Sequence, residues 1–265
     1  MIKISDLKIN SYEINIDILD QQKVGFFAKD KKLINSLLLM IAGITKTKNN
    51  ITINDQNVYD NYSYFRNRIY MDCSKNYFQT IKAEDIESGI RYKYHKNIDI
   101  TKLKTHFTKL RIRGECEINR GYIITKCGSN LINLSVLISS NDDLIINDPT
   151  ININRESDIN YFQTELSKYR HMIVMGLDSL KKIAVVLDKL YLLTDNFEVL
   201  DVNIKNDIFY ALEKTELVNH IYDFDKYIIT KQLSKDELKL CDKNKIKYKK
   251  ITVLDIEKYM VNNDV

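Results

Sequence analysis

The sequence predicts an α/β fold, with a mainly parallel sheet, flanking helices and an amino-terminal antiparallel β subdomain. Three patterns carry this prediction: residues 1–24 alternate apolar and polar, residues 24–28 are continuously apolar, and strand-like and helix-like segments alternate between about 130 and 200. At 265 residues and 44% apolar content, the chain can bury a sizeable core. A helical lobe and a small α/β carboxy-terminal appendage complete the predicted architecture.

The amino-terminal elements follow from periodicity. The segments IKISDLKI and EINIDIL alternate apolar and polar residues, which predicts an antiparallel strand pair, and VGFFA is typical of a strand buried on both faces. Leu33 to Ile44 has helical length and leucine spacing, with Gly43 as its cap. Another strand pair is expected around NNITIND and NRIYMDC.

The remaining elements divide the chain. Apolar residues three and four apart make about 86–128 a helical lobe inside a first domain of residues 1–200. The next segments read as helix, strand, helix, strand, helix and a strand pair: NLINLSVLISS, LII, YFQTELSKY, HMIVMGL, LKKIAVVLDK, and KLYLLTD with FEVLDV. This alternation implies a parallel sheet with helices on its faces. Residues 201–265 form the appendage.

Composition excludes several classes of function. The net charge is only +4 and is not gathered into a basic block, so no nucleic-acid partner is expected. YKYHKNIDITKLK interleaves aromatics with lysines, which would suit a single strand, but a solvated helical lobe explains it more simply. The histidines and cysteines are too scattered for metal-ligand spacing, so no metal site is expected. No apolar run is long enough to cross a bilayer.

Two strings carry a resemblance to a known family. GFFAKDKKLINSLLLMIAGI, residues 25–44, runs from a strand into a leucine-rich helix ending in Ala-Gly, and LIINDPT, residues 144–150, closes a buried strand. With the order of elements over about residues 1–200, they resemble the nucleotide-binding subunit of ABC transporters. The appendage looks like the extension that many peptide-export and bacteriocin-immunity members carry.

The family's phosphate loop, G-x-x-G-x-x-G-x-G-K-[ST]-[ST], is degenerate in this chain. Counting back from the Ala-Gly pair places Gly25 at the first glycine, Ile34 at the phosphate lysine, and Asn35 and Ser36 at the hydroxyl positions. Such loops work because glycines let backbone N–H groups surround the phosphates while a lysine supplies charge. We therefore expect a filled loop that binds no phosphate.

An unorthodox phosphate site is the alternative. Lys29, Lys31 and Lys32 lie in the same loop and would attract an anion without the glycines.

The string LIINDPT resembles the family's L-L-L-D-E-P-T. The resemblance places Asn147 at the magnesium-side aspartate and Asp148 at the general-base glutamate. An amide lacks the anionic charge that holds the second shell of Mg²⁺, and Asp is one methylene shorter than Glu. Asp148 could still position a water, although a polar residue before the Pro149 turn explains it without catalysis.

The family's other nucleotide-sensing groups are missing too. The L-S-G-G-Q signature would fall near Ile123 to Cys127, where it is absent, and the sensor glutamine near Asp72 or Cys73. The switch histidine falls on Leu177, and leucine can neither hydrogen-bond a γ-phosphate nor relay a proton. The family's S-G-L-D segment aligns with residues 151–154.

Losing the phosphate-loop lysine, the signature, the sensor glutamine and the switch histidine together predicts a pseudo-ATPase with no cofactor and no catalytic residues. Its vestigial nucleotide site would comprise ten residues: Gly25, Lys29, Lys31, Lys32, Ile34, Asn35, Ser36, Asn147, Asp148 and Leu177.

The resemblance also implies partners. The expected role is a non-catalytic subunit, cytoplasmic and peripheral at the inner face of the membrane, that docks on a membrane permease or an active ABC subunit; a homodimer is a further option. Tyr77, Phe78 and Ile81 are the candidate anchors for a permease helix. Two alternatives stay open: a working ATPase that uses the three lysines and Asp148, and a protein-binding module detached from transport.

Overall fold

The structure is a computed structural model that describes residues 1–78, 80–112, 117–118, 121–122, 125–224 and 226–260. Along the chain the strands are β1 (Ile2–Ile9), β2 (Tyr12–Ile18), β3 (Lys23–Ala28), β4 (Ile51–Ile53), β5 (Gln56–Asn57), β6 (Arg68–Asp72), β7 (Glu117–Ile118), β8 (Gly121–Tyr122), β9 (Asp143–Asn147), β10 (Ile173–Gly176), β11 (Lys189–Leu193), β12 (Val199–Val202), β13 (Ile208–Glu213), β14 (Tyr222–Asp223), β15 (Tyr227–Thr230) and β16 (Tyr248–Thr252).

The helices are α1 (Lys31–Ile41), α2 (Tyr62–Arg66), α3 (Ala83–Tyr94), α4 (Ile100–Lys109), α5 (Lys126–Ile138), α6 (Glu156–Lys168), α7 (Leu180–Ile183), α8 (Lys235–Lys243) and α9 (Glu257–Met260), with 3₁₀ turns at Ala184–Val186 and Val253–Asp255. None of the helices within the described residues is long and apolar enough to span a bilayer.

The central sheet confirms the predicted α/β architecture. Its order is β12-β11-β3-β10-β9-β6, and every neighbouring pair is parallel except β11 with β12. β3 lies in the middle, as its continuous apolar run predicts. Phe26 and Phe27 point into two separate apolar cores on the two faces of the sheet. One core holds α1 and the antiparallel sheet, and the other holds α5 and α6.

The amino-terminal sheet is antiparallel, with the order β2-β1-β4-β5. The predicted pairing of the first two strands is confirmed, with Ile2 opposite Ile18 and Ile9 opposite Tyr12. The expected pairing of NNITIND with NRIYMDC is wrong, because β4 pairs with β1 and β5 while β6 pairs with β9. Periodicity identifies strands but does not name their partners, and α2 lies between these two.

Helix α1 carries the predicted leucine face and the predicted cap. Gly43 has φ +62°, and the N–H groups of Gly43 and Ile44 donate to the carbonyls of Met40 and Leu39 at 2.9 Å each. This is the Schellman arrangement, in which only glycine adopts the left-handed position without strain. The helix begins at Lys31, two residues earlier than the leucine pattern indicates.

The expected lobe contains α3, α4 and the β7-β8 hairpin, and α5 follows it. Helix α5 is buried along nearly its whole length, polar residues included. Asn130 donates to the carbonyl of Ile151, and Asn133 donates to the carbonyl of Lys75 at 2.8 Å. These buried amides join α5 to the loops at the carboxyl edge of the central sheet.

The carboxy-terminal segment forms an antiparallel sheet of order β14-β15-β13-β16, with α8 on one side. One face, with Phe209, Tyr222 and Ile251, belongs to the same apolar core as α5 and α6. The other face packs Leu212 and Cys241 in a small cluster of its own. The appendage therefore shares its main apolar face with the rest of the chain.

Candidate functional site

The carboxyl edge of the central sheet is where open α/β sheets bind ligands. Here β3, β6, β9 and β10 end side by side, and the residues of the predicted vestigial site lie in β3 and β9, in the turns after β3, β9 and β10, and in α1.

The turn between β3 and α1 is too short to form a phosphate cradle. Only Lys29 and Asp30 separate the last strand residue, Ala28, from the first helical residue, Lys31. Asp30 is the N-cap of α1, and its carboxylate accepts a hydrogen bond from the Lys32 backbone N–H at 2.9 Å. A side-chain anion thus uses one of the N–H groups that a bound phosphate would need.

The three residues at the lysine and hydroxyl positions lie inside α1. Ile34 is 3% exposed, and its side chain lies against Gly176 at the end of β10. The Asn35 Oδ1 accepts a hydrogen bond from the Tyr70 hydroxyl at 2.9 Å, and Ser36 is half-buried. Ile34 therefore packs in the core and has no open space before it.

Gly25 lies in β3 and not in a turn. It sits in the parallel ladder between Met175 and Leu190, and its backbone is not left-handed. A β-carbon at this position would collide with Leu187 and would lie 3.1 Å from the Leu177 Cδ1. Close packing of side chains, and not a phosphate, accounts for this glycine.

The three lysines differ in their surroundings. Lys29 forms an ion pair with Asp195 at 2.9 Å, donates to the Asp223 carbonyl at 2.6 Å, and lies 4.9 Å above the ring of Phe224. It is thereby held by β14 and the residue after it. Lys31 and Lys32 are exposed, and no ion pair joins either of them to a carboxylate within the described residues.

The turn after β9 holds Asn147 and Asp148. Asn147 is buried, and its Oδ1 would lie 2.9 Å from a β-carbon on Gly176. Asp148 is left-handed, with φ 49°, and its N–H donates to the Gly176 carbonyl at 3.0 Å. Burial raises the pKa of Asp148 to about 6; Lys31 opposes this rise, while Asp178 and Asp72 add to it.

Two more carboxylates complete an acidic edge. Asp178 accepts hydrogen bonds from the Thr150 N–H at 3.1 Å and the Thr150 hydroxyl at 3.0 Å. Asp72 is 6% exposed and accepts from the Ser74 hydroxyl at 2.6 Å. A set of three carboxylates repels a polyphosphate unless cations intervene.

Leu177 and the segments around it are apolar or internally paired. Leu177 is 4% exposed and packs on Gly25, so the switch-histidine position faces the core. In the 151–154 segment, Ile153 is fully buried and its carbonyl accepts from the Lys182 Nζ at 2.9 Å. Residues 123–124 of the signature position lie outside the described residues, and Thr125 caps α5 through the Gly128 N–H at 3.0 Å.

The expected docking residues lie between β6 and α3. Tyr77 is 41% exposed, and its hydroxyl accepts a hydrogen bond from the Asp72 N–H at 3.2 Å. Phe78 and Ile81 are half-buried and pack on the main core. Tyr77 therefore presents the most surface of the three.

No group of three or more potential metal-ligating side chains is found within the described ranges.

Comparison with solved structures places this edge in a known architecture. A protein described as a cobalt transport ATP-binding protein aligns over 87% of this chain and 91% of its own, with TM-score 0.59 and 16% identity. A dimeric ATP-binding cassette in a post-hydrolysis state with ADP and Pi aligns over 78% and 100%, with TM-score 0.56 and 13% identity. The fold is that of an ABC-transporter ATP-binding domain.

A third structure of this fold is from Clostridium perfringens and belongs to the ABC transporter complex cbiONQ. It aligns over 76% of this chain and 88% of its own, with TM-score 0.56 and 11% identity. No protein-family model matches the chain, and no curated protein matches it in sequence. The likeness to ABC domains is thus one of fold.

Sequence reasoning missed two features of this ABC-type edge. The sequence did indicate the N-cap by Asp30, because an aspartate directly before a helix is a preferred N-cap residue. No local pattern indicated the contact of Lys29 with Asp223 and Phe224, since 194 residues separate the lysine from its carbonyl partner.

Proposed function

We propose that the chain is a non-catalytic, ABC-like subunit, a pseudo-ATPase that docks on a membrane permease or an active ABC subunit as a scaffold or regulator of transport. The observation that carries this proposal is the two-residue turn before α1, capped by Asp30 and followed by the buried Ile34. That turn lacks the length of a phosphate cradle, and its one cation, Lys29, is paired with Asp195.

The acidic edge supports the same proposal. Asp72, Asp148 and Asp178 influence one another electrostatically, while Lys29 is engaged with the carboxy-terminal sheet. An ATP-binding edge concentrates positive charge on the phosphates. This edge instead carries three carboxylates, of which Asp72 pairs with Lys75 at 3.5 Å while Lys31 and Lys32 stay exposed nearby.

We further propose a peripheral position at the inner face of the membrane, in a system of peptide or bacteriocin export or immunity. The structures of similar fold named above include a member of an ABC transporter complex, which favours a transport partner. Tyr77 is the proposed main anchor, because its ring is exposed between β6 and α3 while its hydroxyl is fixed by the Asp72 N–H.

The enzymatic part is tested with Mg-ATP. We expect no phosphate release. We also expect calorimetry to show no binding of Mg-ATP or ADP that is lost when Lys31 and Lys32 are replaced. Binding or hydrolysis that Lys31→Ala and Lys32→Ala abolish would overturn the pseudo-ATPase proposal and favour the divergent ATPase. Lys235→Ala, on the distant α8, is the matched control for lost charge.

Docking is tested by photo-crosslinking in membranes of the native cell. A crosslinking residue at position 77 should capture a permease or another ABC subunit, whereas one at Tyr92, which is 87% exposed on α3, should not. Capture of soluble proteins alone from position 77 would favour the protein-binding module detached from transport.

A further inference from the structure

A polar cleft of about 560 Å³ lies at the opposite edge of the central sheet from the degenerate phosphate loop. Arg66 and Asn67 line it just before β6 begins, and Asn141 and Asp142 line it just before β9 begins. β6 and β9 are parallel neighbours, so these residues meet at the amino-terminal ends of both strands. The cleft therefore belongs to neither the vestigial nucleotide site nor the proposed docking segment.

Two cations line the cleft. Arg66 is exposed, and no carboxylate pairs with it within the described part of the chain; its guanidinium lies 5.6 Å from the ring centre of Tyr62. The Lys96 side chain is only 13% exposed, and its Nζ lies 3.2 Å from Asp142 and donates to the Arg66 carbonyl. These contacts hold the lysine in one place.

A third cation lies behind them. Arg68 is 6% exposed, and its Nε and Nη2 are buried without a hydrogen-bond acceptor among the described residues. Its guanidinium is 4.7 Å from the ring centre of Phe65. Asp143 lies opposite Arg68 on the neighbouring strand, and its carboxylate accepts a hydrogen bond from the Met172 N–H at 3.1 Å. Asp143 forms no ion pair with Arg68.

The charges around the cleft do not balance. Among the lining residues, Arg66 and Lys96 are cations and Asp142 carries the single carboxylate, while the buried Arg68 adds a further cation near Lys96. Burial lowers the pKa of Lys96, and the two arginines add to that effect while Asp142 opposes it, so the cations are near enough to repel one another. An anion entering the cleft would relieve this repulsion.

The remaining lining offers hydrogen-bond donors and a ring. Asn67, Asn97 and Ser63 contribute amide and hydroxyl groups, and the ring of Tyr62 is 71% exposed at the side of the cleft. A planar group could stack on this ring while its acidic group meets Arg66 and Lys96. The volume exceeds what a bare phosphate fills.

We propose that this cleft binds a small organic anion, a phosphate- or carboxylate-bearing molecule with a planar ring, between Tyr62, Arg66 and Lys96. The site is separate from the ABC nucleotide position, and it does not rest on the pseudo-ATPase proposal.

Calorimetric titration of the full chain with phenyl phosphate tests the proposal. We expect one saturable site, with inorganic phosphate and phenol each binding more weakly because each supplies only half of the recognition. Arg66→Gln should weaken phenyl phosphate binding by at least about tenfold, as expected for a lost charge-assisted contact. Tyr62→Leu should weaken phenyl phosphate and leave inorganic phosphate unchanged.

Lys93→Gln is the matched control, because it removes one exposed cation of α3 that does not line the cleft. It should change neither affinity nor the unfolding temperature. Benzoate replaces phenyl phosphate in a second arm and separates a preference for carboxylate from one for phosphate.

Absence of saturable binding of both probes at about 20 mM, where even a millimolar site would fill, overturns the proposal. So does binding that Arg66→Gln leaves within about twofold. Binding that is lost in Lys31→Ala and Lys32→Ala overturns it as well, and would place the anion at the carboxyl edge instead.

Discussion

The Ile34 side chain occupies the space that a β-carbon on Gly176 would need. That β-carbon would also lie 2.8 Å from the Leu38 Cδ1 and 2.9 Å from the Asn147 Oδ1. The position of the family's phosphate lysine is therefore closed from the side of β10, and α1 lies tightly on the sheet.

Gly176→Ala is expected to destabilise the protein by about 1–3 kcal/mol, because overpacking forces α1 away from β10. Chemical denaturation measures the free energy of unfolding. Ile34→Ala should cost less in the Gly176→Ala chain than in the parent chain, since alanine lacks the Cγ2 methyl that meets the new methyl group.

Gly89→Ala is the control for that change. Nothing lies within 4 Å of a β-carbon on Gly89, which is inside α3. The substitution should stabilise by about 0.5–1 kcal/mol through helix propensity. Equal effects of the two alanines would contradict the close packing of α1 on β10.

Asp30→Ala is expected to cost about 1 kcal/mol, because the Lys32 N–H loses its acceptor at the start of α1. Asp60→Ala, at an exposed aspartate just before α2, should stay within about 0.5 kcal/mol. Removing the cap should not create Mg-ATP binding in calorimetry. If it did, the Asp30 carboxylate alone would be what excludes phosphate.

Asp148→Asn is expected to stabilise the protein at pH 8 by about 1 kcal/mol, discounted for partial exposure. Burial raises the folded-state pKa of Asp148 to about 6. A carboxyl group whose pKa is raised in the folded state lowers the stability only when it is ionised. This cost is absent below the unfolded-state pKa near 4 and fully present above the folded-state pKa. The gain should therefore shrink as the pH falls from 6.5 to 4, and urea unfolding at several pH values measures it.

Asp55→Asn is the matched control, because Asp55 is exposed and left-handed with φ 62°, and asparagine tolerates that conformation equally well. It should show no such trend with pH. A gain for Asp148→Asn that is the same at pH 4 and pH 8 would show that ionisation is not its cause.

Glu257→Ala is expected to cost about 1.5–3 kcal/mol, the usual range for hydrogen bonds to a charged group. Its carboxylate accepts from the Leu180 N–H at 2.6 Å and the Ser179 hydroxyl at 3.1 Å, which fastens α9 to the turn after β10. Limited proteolysis should then cut the carboxy-terminal segment faster. The exposed Glu216→Ala should leave both measurements unchanged.

Local patterns predicted the strands, the leucine face of α1 and its Gly43 cap, because each depends on neighbours in sequence. Helix α1 starts at Lys31 and not at Leu33, because the Asp30 cap, and not the first leucine, sets its beginning. The pairing of β6 with β9 depends on residues far apart, and no local pattern encodes it.

The candidate site, too, could be predicted from the sequence only in part. Spacing alone predicts that Ile34 falls at the family's lysine position, whereas its burial against Gly176 required the structure. The cleft beside Arg66 and Lys96 is formed by three separate segments of the chain. The sequence therefore does not indicate that their charged side chains lie together.

The central position of β3 also bears on how the protein is made. Residues 23–28 leave the ribosome before their hydrogen-bonding partners, which are residues 173–176 and 189–193. Until those strands are synthesised, both edges of a strand that is apolar from Val24 to Ala28 stay unpaired and open to other chains. Translation must proceed from β3 to β11 before both edges of this strand are paired, so the nascent protein should depend on chaperones.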